Sequence, residues 1–534
     1  MTEFDYIIIG AGSAGCVLAE RLSADKNTRV LLLEAGGKDA SFWIQTPIGY
    51  GKTYYHPKFN WRYTTEPDSH LNNRRIYWPR GKVVGGSSSI NAMVYFRGLE
   101  NDFEDWAASG NPLWSWKDVA AEYHKIECFN AADGTRQGAG PLHITDPGTA
   151  CHAIGQDFLA AAGQADLPLN PSLTGDEGLG RYCMTIHRGK RHSAATAFLH
   201  PALKRPNLSL LTDALVKRVI IERGRATGVV FDRRGGEYRI DCNKEIIVSA
   251  GAVNSPKLLM LSGIGPAEEL SRHAIPVVKP NPCVGRNLQD HLAVSYTFQC
   301  TRSTLNNTLR PWWGKALSGA RYLVTRGGPL SMSVNQFGGL VRSTPDASHP
   351  DTQIYFNPLS YTQTDDGGQQ NIQPDSFPGF ILCSQPARPK SLGQITLAGN
   401  NPSLAPVIQP NSLTHDDDLS DIVRGARLCE RLLETPAMSA LIKQPEGFHP
   451  VAQNDTALIE DFRQRASTVY HPVGTCRMGP DPHTSVVDQT LKVHGIAQLR
   501  VVDASVFPNL TSGNTNAPTI MTAHRAAERI VLGD

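Results

Sequence analysis

The stretch that decides the fold is Tyr6-Ile7-Ile8-Ile9-Gly10-Ala11-Gly12-Ser13-Ala14-Gly15, close to the N-terminus. Its first four residues form an uninterrupted aromatic and β-branched run, which is typical of a buried parallel strand. Apolar residues then recur with helical spacing as far as Leu22, and a second apolar run, 29–33, ends in Glu34. Strand, glycine loop, helix and second strand together predict a βαβ unit that binds a dinucleotide.

Each glycine of the loop has a distinct expected role. Gly10 allows a tight turn off the strand, Gly12 lets the backbone approach a pyrophosphate, and Gly15 lets the helix pack close to the strand. The helix N-terminus offers free N–H groups and a partial positive charge to phosphate. Glu34 can accept hydrogen bonds from both ribose hydroxyls and would repel a 2′-phosphate, which argues against NADP. The loop alone does not distinguish FAD from NAD.

Length and composition restrict the remaining possibilities. A chain of 534 residues is too long for one ordinary core, so we expect two or more domains. The formal net charge of +2 gives no long-range field of one sign, and no nucleic-acid partner is expected. The ten cysteines include no C-x-x-C pair, which favours buried free thiols in a reducing compartment.

The sequence has no recognisable signal peptide and no apolar run of about 18 residues, so we expect a cytoplasmic protein. The segment 311–323 has a partly amphipathic pattern that includes Trp312, Trp313 and Leu317. Contact with a membrane surface, a partner subunit or a pocket mouth stays open for this segment, although core packing is the favoured interpretation. The oligomeric state is not determined by the sequence.

A second glycine-rich segment, 78–91, contains two adjacent glycines and three serines framed by apolar residues. This composition predicts a loop laid against a ligand. Residues 81–98 and 251–265 resemble the two signatures of the glucose–methanol–choline (GMC) oxidoreductases, and the stretch from Tyr470 onward resembles their C-terminal end. Residues 285–291 are also similar to the family, so the resemblance spans nearly the whole chain. The members with the most similar motif sequences are bacterial FAD-dependent alcohol and sorbose dehydrogenases.

The resemblance implies an α/β fold in which a Rossmann-type FAD-binding domain is interleaved with a substrate-binding domain built on a mostly antiparallel sheet. The FAD-binding domain is expected to comprise 1–155, 196–292 and 485–534, and the substrate-binding domain 156–195 and 293–484. Some choline-oxidising members attach FAD through a histidine just before the asparagine of the first signature. Ile90 stands there in this chain, so we expect FAD to be bound noncovalently. No metal site is predicted.

The residues expected to contact FAD come from the nucleotide loop and from the motifs that resemble the family. They are Gly10, Gly12, Ser13, Ala14, Gly15, Glu34, Ala35, Arg80, Gly81, Val84, Gly85, Gly86, Ser87, Asn91, Ala92, Met93, Val94, Val216, Ala250, Gly251, Asp503, Ala504, Asn514, Thr515 and Asn516. The last helix, which begins after these residues, is expected to point its positive end at the flavin and stabilise its anionic reduced form.

The catalytic prediction rests on His471 and Asn514, which occupy the positions of the family's catalytic pair. His471, in Tyr470-His471-Pro472, is the expected base or hydrogen-bond acceptor for the alcohol hydroxyl, and Asn514 is expected to hold the alcohol oxygen. Flavin N5 would take the hydride from the carbinol carbon. A quinone or another acceptor other than oxygen is expected to receive the electrons.

Other reaction classes stay open or are excluded by the sequence. An oxygen-using alcohol oxidase, a lyase and a fatty-acid decarboxylase are the alternatives that the family offers. A Ser-His-Asp hydrolase is excluded, because Ser87, Ser88 and Ser89 do not form a G-x-S-x-G elbow. The sequence does not determine which alcohol is the substrate.

Overall fold

The computed structural model describes residues 4–366 and 369–533. The predicted first unit is present as a strand β1 (Phe4–Ile9), a helix α1 (Ser13–Leu22) and a strand β2 (Val30–Leu33). The two strands pair in parallel, with Ile8 opposite Leu32. Ile7, Ile8, Leu31 and Leu32 are buried, as expected for strands covered on both faces.

These strands belong to a seven-stranded sheet assembled from distant parts of the chain. Its order is Leu208–Leu211, β2, β1, Gly236–Val248, Arg225–Arg233 and Ala214–Glu222, and Leu499–Val501 also pairs with Gly236–Val248. The pairings around β1 and β2 are parallel, whereas the Ala214–Val248 meander is antiparallel. The C-terminal part of the chain therefore returns to the sheet that its first residues begin.

A second sheet of six strands is antiparallel throughout. Its order is Phe337–Val341, Thr352–Asn357, Gly379–Pro386, Leu292–Cys300 and Ile442–Glu446, and Ser467–Thr468 pairs with the start of Leu292–Cys300. Phe298, Phe356 and Phe380 pack in its core against Phe158 from a neighbouring helix. The predicted α/β class, with a Rossmann-type sheet interleaved with a mostly antiparallel one, is confirmed. The stated bounds of the two domains stay a prediction.

Helices cover both sheets. The longer ones are Glu100–Ala108, Trp116–Ile126, Gly155–Gln164, Gly251–Leu261, Trp312–Thr325, Asp416–Leu433, Asp455–Arg465 and Asn516–Leu532. Shorter strand pairs include Glu127–Asn130 with Leu142–Thr145, Leu169–Leu173 with Gly178–Tyr182, and Tyr361–Asp366 with Gln369–Pro374. Within residues 4–366 and 369–533, no helix has both the length and the apolar character needed to cross a bilayer.

The expectation of core packing for 311–323 is wrong for most of its apolar side chains. Trp312 is 80% exposed and Trp313 is 54% exposed, whereas Tyr322 is buried. The helix turns its small and polar side chains inward, so the apolar residues that suggested a core position face outward.

Candidate active site

One long cavity of about 840 Å³ connects the nucleotide loop with the histidine loop. The carboxyl ends of β1 and β2 form one end, as is usual for ligand sites on parallel sheets. His471 and Asn514 also line the cavity. Of the predicted contact residues, only Gly15, Val84 and Gly85 do not line this cavity, and they lie directly behind the loops that do.

The glycines of the first loop are required for two different reasons. Gly10 has a φ of +101°, and a Cβ on it would lie 2.4 Å from the Ser249 carbonyl oxygen. A Cβ on Gly15 would lie 1.9 Å from the Gly10 oxygen. Gly12 differs, because its nearest protein atom to an added Cβ is Gly86 Cα at 3.9 Å. The fold itself therefore excludes side chains at Gly10 and Gly15, whereas only a ligand would exclude one at Gly12.

The second glycine loop lies against the first. A Cβ on Gly86 would lie 2.7 Å from Gly12 Cα, and Gly85 N donates to Ala11 O over 2.7 Å. Ser88 and Ser89 direct their hydroxyls to Gly85 O and Val84 O, so they fasten the loop to itself. Gly12 and Gly86, from two separate loops, thus line the cavity together with their bare backbone.

Glu34 closes the ribose end of the cavity. Its two carboxylate oxygens accept hydrogen bonds from Ala11 N at 2.9 Å and Gly36 N at 2.8 Å. Burial raises the pKa of Glu34 to about 7, although both N–H donors and Lys82 act in the opposite direction. The carboxyl is therefore held in a fixed orientation at the end of β2, where ribose hydroxyls can reach it.

Asp503 and the last helix organise the middle of the cavity. Asp503 accepts hydrogen bonds from Gly251 N at 2.9 Å and Ser255 Oγ at 2.5 Å. The helix Asn516–Leu532 begins beside the cavity without a side-chain cap, so its first N–H groups face toward a ligand. Asn516 Oδ1 accepts from Ser13 Oγ at 2.8 Å, which ties the start of this helix to the start of α1.

Asn91 is held by a buried arginine, Arg191, that the sequence did not identify as part of the site. Arg191 Nη1 donates to Asn91 Oδ1 at 2.7 Å and to Ser88 O at 3.1 Å, and Nε donates to Ile44 O at 2.9 Å. Burial lowers the pKa of Arg191 to about 9, and its Nη2 has no hydrogen-bond partner within the described part of the chain. This cation fixes the loop on which Asn91 stands.

The histidine loop is held in a strained conformation. Tyr470 has a φ of +72°, which is uncommon for a residue with a side chain. Arg80 Nη2 donates to Tyr470 O at 2.7 Å, and Asp290 Oδ1 accepts from His471 N at 2.7 Å. Thr468 also donates to Asp290. Because Arg80 and Asp290, from two other segments of the chain, hold this turn together with Thr468, the imidazole of His471 has one orientation.

The structure brings the predicted pair together and adds a second histidine. His471 Nε2 lies 3.1 Å from Asn514 Nδ2, and His471 Nδ1 lies 3.0 Å from His291 Nδ1. His291 Nε2 in turn lies 2.7 Å from Ala387 O. The sequence contained His291 in the family-like segment 285–291, but no role had been assigned to it, since nothing local places it beside His471.

These contacts fix the position of each proton. Ala387 O can only accept, so His291 Nε2 carries a hydrogen. Burial lowers the pKa of His291 to about 4, so His291 is neutral near pH 7 and its Nδ1 is an acceptor. His471 Nδ1 must then donate. Burial, with His291 and Arg80, holds the pKa of His471 well below its usual range, so its Nε2 is unprotonated and accepts a hydrogen bond from Asn514 Nδ2.

The wall beyond the histidine is aromatic and apolar. It comprises Tyr50, Tyr54, Leu309, Leu330, Val334, Tyr355, Leu359 and Tyr361, which all line the cavity. The Tyr54 ring packs edge-on against Tyr470 with centroids 5.0 Å apart. Among the described lining residues, the acidic side chains are Glu34 and Asp503, and both lie at the carboxyl edge of the first sheet.

The cavity fits an extended dinucleotide such as FAD. The bare backbone at Gly12, the fixed carboxyl of Glu34 and the uncapped helix at Asn516 supply the surfaces that pyrophosphate, ribose and flavin require. Residues 4–293 and 389–523 match the GMC oxidoreductase family.

The chain is similar to curated relatives and to a solved structure over nearly its whole length. The chain is 41% identical to the alcohol dehydrogenase [acceptor] of Pseudomonas putida, covering 99% of this chain and 96% of the relative. It is 42% identical to mitochondrial choline dehydrogenase of Homo sapiens, covering 99% and 90%. A solved structure from a study of FAD modification in Aspergillus oryzae RIB40 formate oxidase is 26% identical, with a TM-score of 0.92, covering 100% of this chain and 98% of that chain.

Two glycine substitutions separate folding from ligand binding. Gly10→Ala places a Cβ against Ser249 O at a positive φ, and we expect a loss of stability of about 1–3 kcal/mol or more. Gly12→Ala meets no protein atom closer than 3.9 Å and should leave the melting temperature of the apoprotein unchanged while weakening FAD binding. Thermal melts of both apoproteins and FAD titration of Gly12→Ala test this. Wild-type FAD affinity in Gly12→Ala would contradict the assigned position of the pyrophosphate.

Proposed function

The chain belongs to the GMC oxidoreductase family, and on that premise we propose that it oxidises an uncharged alcohol to an aldehyde or ketone. FAD is bound noncovalently, and the electrons pass to a quinone or another acceptor other than oxygen. The observation that carries this proposal is the unprotonated Nε2 of His471 at 3.1 Å from the Asn514 amide nitrogen, in a cavity shaped for a dinucleotide.

His471 and Asn514 have complementary roles toward the alcohol. A hydroxyl oxygen that replaces the direct contact between Asn514 and His471 accepts a hydrogen bond from Asn514 Nδ2 and donates its own hydrogen to His471 Nε2. His291 keeps the proton of His471 on Nδ1, so the Nε2 lone pair stays available. FAD, when bound, supplies the acceptor for the hydride of the carbinol carbon.

The charge of the cavity supports an uncharged substrate. Near His471, the carboxyl of Asp290 is engaged by Thr468 and by the His471 backbone, and it does not line the cavity. Arg80 and Lys315 do line it, and both would repel a cationic alcohol. Aromatic and aliphatic side chains such as Tyr50, Leu309 and Leu359 form much of the wall, which suits a hydrocarbon chain or ring. These features favour a neutral aliphatic or aromatic alcohol over choline.

Ile90 supports noncovalent binding of FAD. It is 5% exposed, lines the cavity and packs with Ile44, Phe59 and Val83. Its hydrocarbon side chain offers no nucleophile where some family members carry a flavin-linked histidine.

Replacing the proposed base tests the reaction. His471→Ala should reduce the rate of anaerobic flavin reduction by about 10²–10⁴-fold and leave FAD bound, because it removes the acceptor of the hydroxyl proton. Stopped-flow absorbance of the flavin measures this. His124→Ala, at an exposed helix position, is the matched control and should reduce at the wild-type rate. His291→Phe should give a smaller loss, because the tautomer of His471 is then no longer fixed. Unchanged kinetics in His471→Ala would refute the assignment.

A substrate panel tests the proposed function directly. Under anaerobic conditions, octanol and benzyl alcohol should bleach the flavin, and choline and sorbose should do so at least about tenfold more slowly. A soluble quinone should then reoxidise the flavin faster than air does. Fast reduction by choline would refute the uncharged substrate, and faster reoxidation by air would favour an oxidase. Product formation from a carboxylic acid under light, without flavin bleaching by alcohols, would favour the decarboxylase alternative.

Acid precipitation tests the mode of FAD attachment. Because Ile90 cannot form a bond to the flavin, the yellow chromophore should remain in the supernatant after the protein is precipitated. Absorbance spectra of pellet and supernatant measure the distribution, and free FAD mixed with bovine albumin is the control. Flavin retained in the washed pellet would contradict noncovalent binding.

A further inference from the structure

The helix Trp312–Thr325 has its polarity reversed relative to an ordinary surface helix. Its buried side consists of Gly314, Ser318 and Tyr322. Its fully exposed positions include seven apolar residues, namely Trp312, Trp313, Ala316, Leu317, Ala320, Leu323 and Val324. An amphipathic helix of a globular protein normally turns its apolar stripe inward, so this stripe faces something outside the chain.

The seven residues form one continuous face. At 3.6 residues per turn, successive positions are rotated by about 100°, and all seven fall within an arc of about 140°. Lys315 borders this arc on one side and Arg321 borders it on the other, and both are exposed. The helix thus presents an apolar stripe with a cation along each edge.

A neighbouring segment extends the stripe. Phe42 is 47% exposed and Trp43 is 43% exposed. Phe42 packs edge-on against Tyr322, with ring centroids 6.3 Å apart, and against Trp43 at 5.2 Å. We call Phe42, Trp43, Trp312, Trp313, Leu317, Leu323 and Val324 the tryptophan patch. Contiguous exposed apolar surface of this kind marks an interaction site.

The segment that carries the helix of the tryptophan patch has charge of one sign. From position 302 to position 345 the sequence contains six Arg or Lys residues and no Asp or Glu, although the whole chain is nearly neutral at +2. Arg302 and Arg342 pair with Asp157 and Glu177. Lys315 and Arg321 lie on the helix and Arg326 directly follows it, and all three are exposed. A surface that is apolar in the middle and basic at the edges complements an anionic lipid bilayer.

We propose that the tryptophan patch docks the protein on the surface of an anionic bilayer. Tryptophan side chains favour the boundary between lipid headgroups and acyl chains, and Lys and Arg reach from there to the lipid phosphates. The helix is 14 residues long, or about 21 Å, so it lies in the interface and does not cross the membrane.

Docking would place the cavity next to the lipid. Trp43 and Lys315 belong to the surroundings of the tryptophan patch and also line the cavity. An apolar alcohol, or a lipid-soluble electron acceptor, could therefore enter from the bilayer without crossing bulk water. This consequence rests on the proposed function, whereas docking itself does not.

Vesicle flotation of the full-length holoenzyme tests the docking. With vesicles of equal parts phosphatidylcholine and phosphatidylglycerol, we expect the wild type to float with the lipid, and to do so less at high salt, where the basic edges are screened. Less protein should bind to vesicles of pure phosphatidylcholine, which carry no net charge. Trp313→Gln with Leu317→Gln should reduce the bound fraction at least about tenfold, and Arg321→Glu with Arg326→Glu should also reduce it. Oxidation of a water-soluble alcohol by the Trp313→Gln, Leu317→Gln variant should match the wild type.

Leu169→Gln with Leu532→Gln is the matched control, because these leucines are 55% and 80% exposed on other parts of the surface. This variant should bind vesicles like the wild type. Sedimentation velocity should give the same oligomeric state for the wild type and all variants. Failure of the wild type to bind anionic vesicles would overturn the proposal, as would wild-type binding by the Trp313→Gln, Leu317→Gln variant. If the wild type does not bind vesicles but forms an oligomer that the Trp313→Gln, Leu317→Gln variant dissociates, the patch is a subunit interface instead. None of these outcomes depends on which alcohol is oxidised.

Discussion

The close approach of two glycine loops is the constraint on which the rest of the structure depends. Gly12 and Gly86 face each other so closely that a Cβ on Gly86 would lie 2.7 Å from Gly12 Cα. This contact joins the first βαβ unit to the segment that carries Asn91, and Arg191 fastens the same segment from behind. The fold excludes a side chain at Gly86, and Gly12 has none, so the two glycines leave a slot lined by backbone that accommodates a flat, extended cofactor.

At the histidine loop, a chain of hydrogen bonds fixes the protonation state of one nitrogen, His471 Nε2. Ala387 O, His291 and His471 form a chain in which each donor has one acceptor, and the chain ends at His471 Nε2. Burial keeps both imidazoles neutral by lowering their pKa values. The strained Tyr470, held by Arg80, aims the ring, so the conformational cost of the turn is met by contacts from separate segments. The result is a neutral imidazole whose tautomer is set by the protein alone.

The helix Trp312–Thr325 shows that large apolar side chains of this chain are exposed as well as buried. Inside, apolar side chains such as Phe298 and Phe356 fill the core of the antiparallel sheet. Outside, Trp312 and Trp313 stay exposed beside the basic residues of an acid-free segment. An enzyme that handles uncharged, poorly soluble alcohols would gain from a cavity that opens at such a surface.

Local sequence determined the features that depend on neighbouring residues. The strand of Tyr6–Ile9, the loop of Gly10 and Gly12, and the carboxyl of Glu34 follow from spacing alone, because a βαβ unit folds within about thirty residues. The motif around His471 identified the histidine for the same reason. Only the tertiary structure brought His291, 180 residues away, to 3.0 Å from His471 and so fixed its tautomer. The tertiary structure also decided that the apolar stripe containing Trp312 lies on the surface. A helical pattern identifies the apolar face of a helix but does not determine whether that face packs against the core or is exposed.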